Sequence, residues 1–180
     1  MGRYIALLRA VNVGRTGRVP MVDLRKLLTN MGYWRVQTLL QSGNVVFDRE
    51  ERTEAEIASE ITGVIMDRMG VQTDVFLRKA EQWEALIANN PFPNEAIDDP
   101  SHLVVVFTTN PPVEHRVRAL QAAIIGRETV KAAADHLYAV YPDGIGESKL
   151  TIKIIERELG SRGTARNWNT VVKLMEMAAQ

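Results

Sequence analysis

The sequence predicts an α+β protein of two consecutive ferredoxin-like (α-β plait) subdomains with antiparallel sheets and a C-terminal helical extension. Three observations lead there. Residues 1–78 read as β-α-β-β-α-β, the order of a split βαβ unit with two helices on one face of a four-stranded sheet. The second half reads β-α-β-β-α-α and repeats most of that order. Each half also places an asparagine and then a proline between its first strand and first helix: Asn12 with Pro20, and Asn110 with Pro111. The boundaries that follow are 1–78 for the first subdomain, 79–101 for a helix and connecting loop, and 102–180 for the second subdomain with its extra helix.

Each element has a local reason. Residues 4–8 (YIALL) are a short, mostly apolar run that suits a central strand. Gly14 and Gly17 loosen the loop that follows, and Pro20 suits a helix start, where its missing N–H costs little. Met21, Leu24, Leu27, Leu28 and Met31 then recur at helical spacing up to Gly32. Val36, Thr38 and Leu40 alternate, Gln41-Ser42-Gly43-Asn44 is turn chemistry, and residues 45–47 return as a strand. Thr53 and Glu56 form a capping box ahead of Ile57, Ile61, Val64 and Ile65, with Gly70 as the stop. Residues 73–77 close the first unit as a strand.

Residues 79–90 read as a helix, and the prolines at 91, 93 and 100 mark a loop. Residues 102–107 are a strong strand. A helix runs from Pro112 to about Ile125, and residues 129–133 and 137–141 form a hairpin around Ala134-Asp135. Ser148 is the expected cap of a helix ending at Gly160. Thr164 is the expected cap of a last helix reaching Ala178, with Trp168, Val171, Val172 and Met175 as its buried stripe.

Composition narrows the function classes. Formal net charge is zero and the pI is about 6.9, which argues against a uniformly basic nucleic-acid binder. The balance hides an asymmetry. Residues 1–47 carry seven Lys/Arg against one acid, residues 48–148 nine against eighteen, and residues 149–180 six against three. Such blocks are ordinarily solvated faces; here they also raise the prospect of two basic ends converging on an anion. The chain has no cysteine, which excludes disulfides, thiol nucleophiles and cysteine zinc sites. No apolar run approaches the roughly 20 residues of a membrane helix. Arg9 interrupts the first apolar run too early for a signal-peptide core, so a cytoplasmic location and no membrane partner are expected. His102, His115 and His136 show no ligand spacing, so no metal is expected. Phosphate-loop, dinucleotide and nucleophile-elbow patterns are missing, so no cofactor is expected. Asp135-His136 reads as a surface pair.

Three stretches carry candidate chemistry. The loop 12–18 (NVGRTGR), with Arg9 before it, sets Asn12, Arg15 and Arg18 ahead of a helix N-terminus, where backbone N–H groups favour an anion. Its plain alternative is a mobile basic turn. The turn Gln41-Ser42-Gly43-Asn44 sits where an RNA-recognition module carries a base-stacking motif, yet Asn44 and Val46 stand at positions that need aromatic side chains. A structural hairpin is the simpler reading. At the C-terminal end, Lys149 and Lys153 are four apart and are expected to share a helix face. Arg166, Asn167 and Trp168 lie near the start of the last helix, where Arg and Asn can grip a carboxylate or phosphate, or merely cap.

The segments RYIALLRAVNVG (3–14), VPM (19–21), QSGNVVF (41–47), LTIK (150–153) and RNW (166–168) resemble the bacterial family catalogued as domain of unknown function 1697. The resemblance covers essentially the whole chain. It implies two ferredoxin-like subdomains and brings no activity and no catalytic residue. It singles out Arg9 with Asn12, residues 41–44, Lys149 with Lys153, and residues 166–168 as signatures. The expectation drawn from all this is an anionic ligand, phosphorylated or nucleotide-like, held where the two ends meet in a cleft between subdomains. Competing readings are an RNA- or DNA-binding plait, an enzyme with an Arg/Lys clamp and no nucleophile of its own, and a structural or oligomerisation role without a ligand.

Overall fold

The computed structural model describes residues 1–15 and 17–180; Thr16, inside the basic loop, lies outside them. Backbone contacts divide the chain into two units, Met1–Glu84 with Leu174–Gln180, and Ala85–Lys173. In the first, β1 (Gly2–Leu8), α1 (Met21–Asn30), β2 (Trp34–Leu39), β3 (Asn44–Arg49), α2 (Glu54–Met69) and β4 (Val75–Lys79) follow one another. Their sheet is antiparallel with the order β2-β3-β1-β4, the split βαβ arrangement expected.

The first core follows from the pleat. Tyr4, Ala6 and Leu8 of β1 share one face with Val45, Phe47 and Leu77, and they pack on Leu24 and Leu28 of α1 and Ile57, Ile61 and Ile65 of α2. Thr53 Oγ1 accepts from Glu56 N–H at 3.2 Å while the Glu56 carboxylate accepts from Thr53 N–H at 2.9 Å, so the capping box is closed. Gly70 ends α2 in the left-handed conformation at φ +65°. The opposite face of the sheet is buried too: Ile5, Leu7 and Val46 are each 0% exposed.

Two arginines of this unit converge on one carboxylate. Asp48 of β3 accepts from Arg3 Nη1 at 3.1 Å and from Arg35 Nε. Arg3 Nη2 also donates to Met177 O, and Arg35 Nη1 to Gln180 O, both at 2.9 Å. Arg35 sits in a β-bulge: pairing of β2 with β3 shifts between Trp34 and Gln37, and Arg35 is left-handed at φ +46°.

The second unit holds α4 (Pro93–Asp98), β5 (Leu103–Thr108), α5 (Glu114–Ala123), β6 (Thr129–Ala133), β7 (His136–Val140), α6 (Ile152–Leu159) and β8 (Gly163–Asn167). Two helices carry residues of both units, α3 (Ala80–Ala88) and α7 (Trp168–Ala178). The second sheet is again antiparallel, with the order β6-β7-β5-β8, equivalent to the first. Val104, Val106, Leu137 and Ala139 face Val117 and Leu120 of α5 and Ile155 and Leu159 of α6. On the other face Leu103, Val105, Phe107 and Tyr138 are each 0% exposed, and Tyr138 Oη donates to Leu86 O at 2.6 Å. Burial pushes the Tyr138 phenol well above its ordinary range.

Several local expectations are corrected. Residues 163–167 form a strand rather than a helix start, so the second unit is β-α-β-β-α-β, a complete plait, with α7 after it. Thr164 therefore caps nothing; Asn167 does, its Oδ1 accepting from Thr170 N–H at 3.0 Å. Thr151 rather than Ser148 caps α6, accepting from Ile154 N–H, while Ser148 Oγ accepts from Leu150 N–H and donates to the Glu128 carboxylate. The loop expected near residues 91–100 contains α4, with Pro93 at its first position. On α7, Val171, Leu174 and Met177 are buried with Trp168, whereas Val172 and Met175 are half-buried. His136 is 3% exposed and packs edge-on against Phe107, so Asp135-His136 is no surface pair.

Candidate functional site

The N-terminal signatures gather at one pole of the first unit. Asn12 organises them. Its Nδ2 donates to Val19 O and to Gln41 O, both at 2.7 Å, and its Oδ1 accepts from Val19 N–H at 2.8 Å. Its own N–H donates to Gly17 O at 3.1 Å. One side chain thus closes the basic loop and ties it to the hairpin turn. Asparagine suits the position because it tolerates the left-handed backbone it adopts there, at φ +55°. Ala10 and Gly14 on either side are also left-handed, at φ +52° and +56°.

Both flanks of the loop are fixed. Arg9 N–H donates to Asp74 O at 2.9 Å, and Thr73 Oγ1 donates to Arg9 O at 2.8 Å. A Cβ on Gly17 would stand 2.5 Å from Val71 Cγ1, so this glycine is where the loop lies directly on the core. These bonds hold the two ends of the loop. Around it, Arg15, Arg18 and Gln41 are exposed, and Arg9 and Ser42 are half-buried. Asn44 belongs to the framework: fully buried, it donates to Leu39 O at 2.7 Å and to Ser42 Oγ at 3.0 Å, which shapes the turn from within.

The C-terminal signatures lie in the second unit and divide by role. Arg166 is 8% exposed in β8 and donates Nη1 to Thr164 Oγ1 at 2.7 Å and to Ala165 O at 2.8 Å. Burial pulls its guanidinium down to about 10, which leaves it charged at neutral pH. Trp168 is 7% exposed and opens α7 as a packing residue. Lys149 precedes α6 and Lys153 lies in its first turn, so they do not share a helix face; both are exposed. Asn167 lines a cavity of about 450 Å³ with Thr151, Tyr141, Ile155 and Ala165. Burial, with a smaller push from Glu128, raises the Tyr141 phenol to about 12, and its Oη donates to Leu150 O at 3.1 Å. No periodicity marks this cavity in the sequence. Its one legible sign is Thr151 two residues before Lys153, a helix cap hidden behind the more obvious Ser148.

Plaits that read single strands stack bases on exposed aromatic side chains of the open sheet face. On that face Ile5, Leu7 and Val46 in the first unit and Val105 and Phe107 in the second are at 0% exposure, while Trp34, paired with Asp48 at the edge of the first sheet, is 45% exposed. Among the described residues no group of three or more His, Asp or Glu could hold a metal ion. No described helix is long and apolar enough to cross a membrane.

Three comparisons bear on this arrangement. The family model described as "Protein of unknown function (DUF1697)" matches residues 1–138. No curated protein matches the chain. Among solved structures, the conserved bacterial protein SP0830 from Streptococcus pneumoniae superposes with a TM-score of 0.75 at 22% identity, over 98% of each chain. At that identity the likeness speaks for the fold alone.

Proposed function

The chain belongs to the DUF1697 family, and we propose that it binds a phosphorylated or nucleotide-like anionic small molecule at the pole of the first unit where the basic loop meets the hairpin turn. The observation that carries this is the use of Asn12. All three of its side-chain hydrogen bonds go to the backbone of the loop and turn, and they fix a left-handed segment beside Arg15, Arg18 and Gln41. Left-handed non-glycine residues cost about 1–3 kcal/mol each and tend to gather at binding and catalytic sites. Two of them, Ala10 and Asn12, stand here within three residues of each other.

The roles divide accordingly. Arg15 and Arg18 supply charge and bidentate donors to a phosphate. Gln41 supplies a neutral amide beside them, and Arg9 adds positive potential from its half-buried position. Asn12, Ser42 and Asn44 hold the frame and do not themselves contact the ligand. With no nucleophile assigned, the reading is binding.

The test is a thermal-shift and calorimetric titration with pyrophosphate and ADP, comparing the wild-type chain with an Arg15→Ala/Arg18→Ala double variant. A ligand selective for the native state raises the melting midpoint. Both side chains are exposed, so the unliganded variant is expected to melt with the wild type. Its affinity is expected to fall about 100-fold, since each charge-assisted hydrogen bond to a phosphate contributes about 1.5–3 kcal/mol, less when solvated. A shift retained in the variant, or none with either probe in the wild type, would overturn the proposal.

A further inference from the structure

We propose that the second unit carries a separate site, the cavity beside the start of α6, for a small carboxylate with an apolar body. The inference does not depend on the anion site of the first unit. At about 450 Å³ the cavity falls in the size range of small-molecule sites, and its composition matches theirs: apolar walls with a few placed polar groups. Val104, Tyr141, Leu150, Ile155 and Ala165 supply the walls, and Ile145, 44% exposed, adds apolar surface on the loop side.

That loop is anchored. Ser148 donates to the Glu128 carboxylate, and Arg127 Nε donates to Asp143 Oδ2 at 3.0 Å.

The polar groups select the ligand's head. Asn167 turns its Oδ1 to Thr170 N–H to cap α7, and among the described residues its Nδ2 has no hydrogen-bond partner. Thr151 accepts through Oγ1 from Ile154 N–H at 3.4 Å, and its own O–H is donated to none of the described residues. Ser148 and Tyr141 already donate, to Glu128 and to Leu150 O. Two residues with an uncommitted donor thus line the cavity; none of its lining residues is acidic, and the neighbouring Glu128 carboxylate is engaged by Ser148. Lys149 and Lys153 stand exposed on either side of Thr151, and neither is in an ion pair with a described residue. An acceptor with two oxygens and one negative charge answers this set. Neutral donors are too few for a phosphate dianion, and the apolar walls disfavour a sugar or nucleotide body.

Octanoate is the probe, with 1-octanol as its uncharged counterpart, followed by calorimetry and by methyl NMR of the full chain. The decisive variant is Asn167→Asp. Aspartate caps a helix as well as asparagine does, so α7 and the melting midpoint are expected to be kept, while a donor is exchanged for a negative charge. Saturable octanoate binding that shifts the Ile152, Ile155 and Leu150 methyl signals, is weaker for 1-octanol and falls at least tenfold in Asn167→Asp is the expected result. The Arg15→Ala/Arg18→Ala chain is expected to bind octanoate as the wild type does. Absence of saturable binding would overturn the proposal, as would equal affinity in Asn167→Asp or methyl shifts confined to the first unit.

Discussion

Asp48→Asn is expected to destabilise the chain by about 3 kcal/mol at neutral pH, because removing one partner of a buried ion pair leaves the other charge uncompensated. Asp48 is 7% exposed and serves two guanidiniums, Arg3 at 3.1 Å and Arg35. The Arg3 side chain is only 10% exposed, and its Nε is already buried without an acceptor. Asparagine would leave it only neutral acceptors, among them Met177 O at 2.9 Å and Arg35 O at 3.5 Å. Burial alone would raise the Asp48 carboxyl, but the hydrogen bonds from Arg35 and Arg3 outweigh it and hold the group below the usual carboxylate range. The sign of the pH dependence follows. A depressed folded-state value means the stabilisation is complete above the unfolded value, about 3.9, and is lost as pH falls through the folded one. Urea unfolding of both chains at pH 7 and near pH 3 should therefore show a gap that narrows in acid. A gap of equal size at both pH values would contradict this account.

Gly43→Ala is expected to cost a similar amount, about 3 kcal/mol, from two additive sources. Gly43 is left-handed at φ +83°, where any Cβ is strained. That Cβ would also stand 2.7 Å from Leu8 Cβ and 2.8 Å from Val11 Cγ2, both buried. Neither neighbour can move freely, because Leu8 N–H is bonded to Gly43 O at 2.8 Å and Val11 adjoins Asn12. The substitution should also loosen the tether from Asn12 to Gln41 O. Hydrogen exchange is expected to rise at residues 10–19 as well as in the hairpin. A stability loss under 1 kcal/mol would mean that the turn can relax by changing its backbone type.

The fold was legible where side chains repeat with a clear period. Leu24 and Leu28, or Ile57, Ile61 and Ile65, announce a buried helix face by spacing alone. Strand β8 was not, since Gly163-Thr-Ala-Arg-Asn167 has neither an apolar run nor an alternating one. Paired with Val105 of β5, Arg166 is 8% exposed, and a buried arginine reads in sequence as a surface residue. The caps failed for a related reason: Ser148 and Thr151 are equally good caps by type, and only the backbone shows which one precedes the first turn.

The candidate residues divide along the same line. Arg15, Arg18 and Gln41 are where a ligand could reach them, as expected of charged and amide groups in a loop. Asn12 and Asn44 look alike in sequence, yet their amide N–H groups are taken up by the protein's own carbonyls and, for Asn44, the Ser42 hydroxyl. An amide saturated by its own backbone and one left open are indistinguishable until hydrogen bonds are known. Asn167 is the intermediate case, with one end engaged and the other open.

The bulge at Arg35 matters for more than the arginine's reach to Asp48. Strand β2 is the outer strand of its sheet, so its free side offers N–H and C=O groups to any extended chain that comes near. The left-handed residue breaks that row, and it does so beside a cation. An incoming strand would meet a ladder out of step after Trp34. The β2 rim of the first sheet is thereby a poor template for edge-to-edge pairing with another strand.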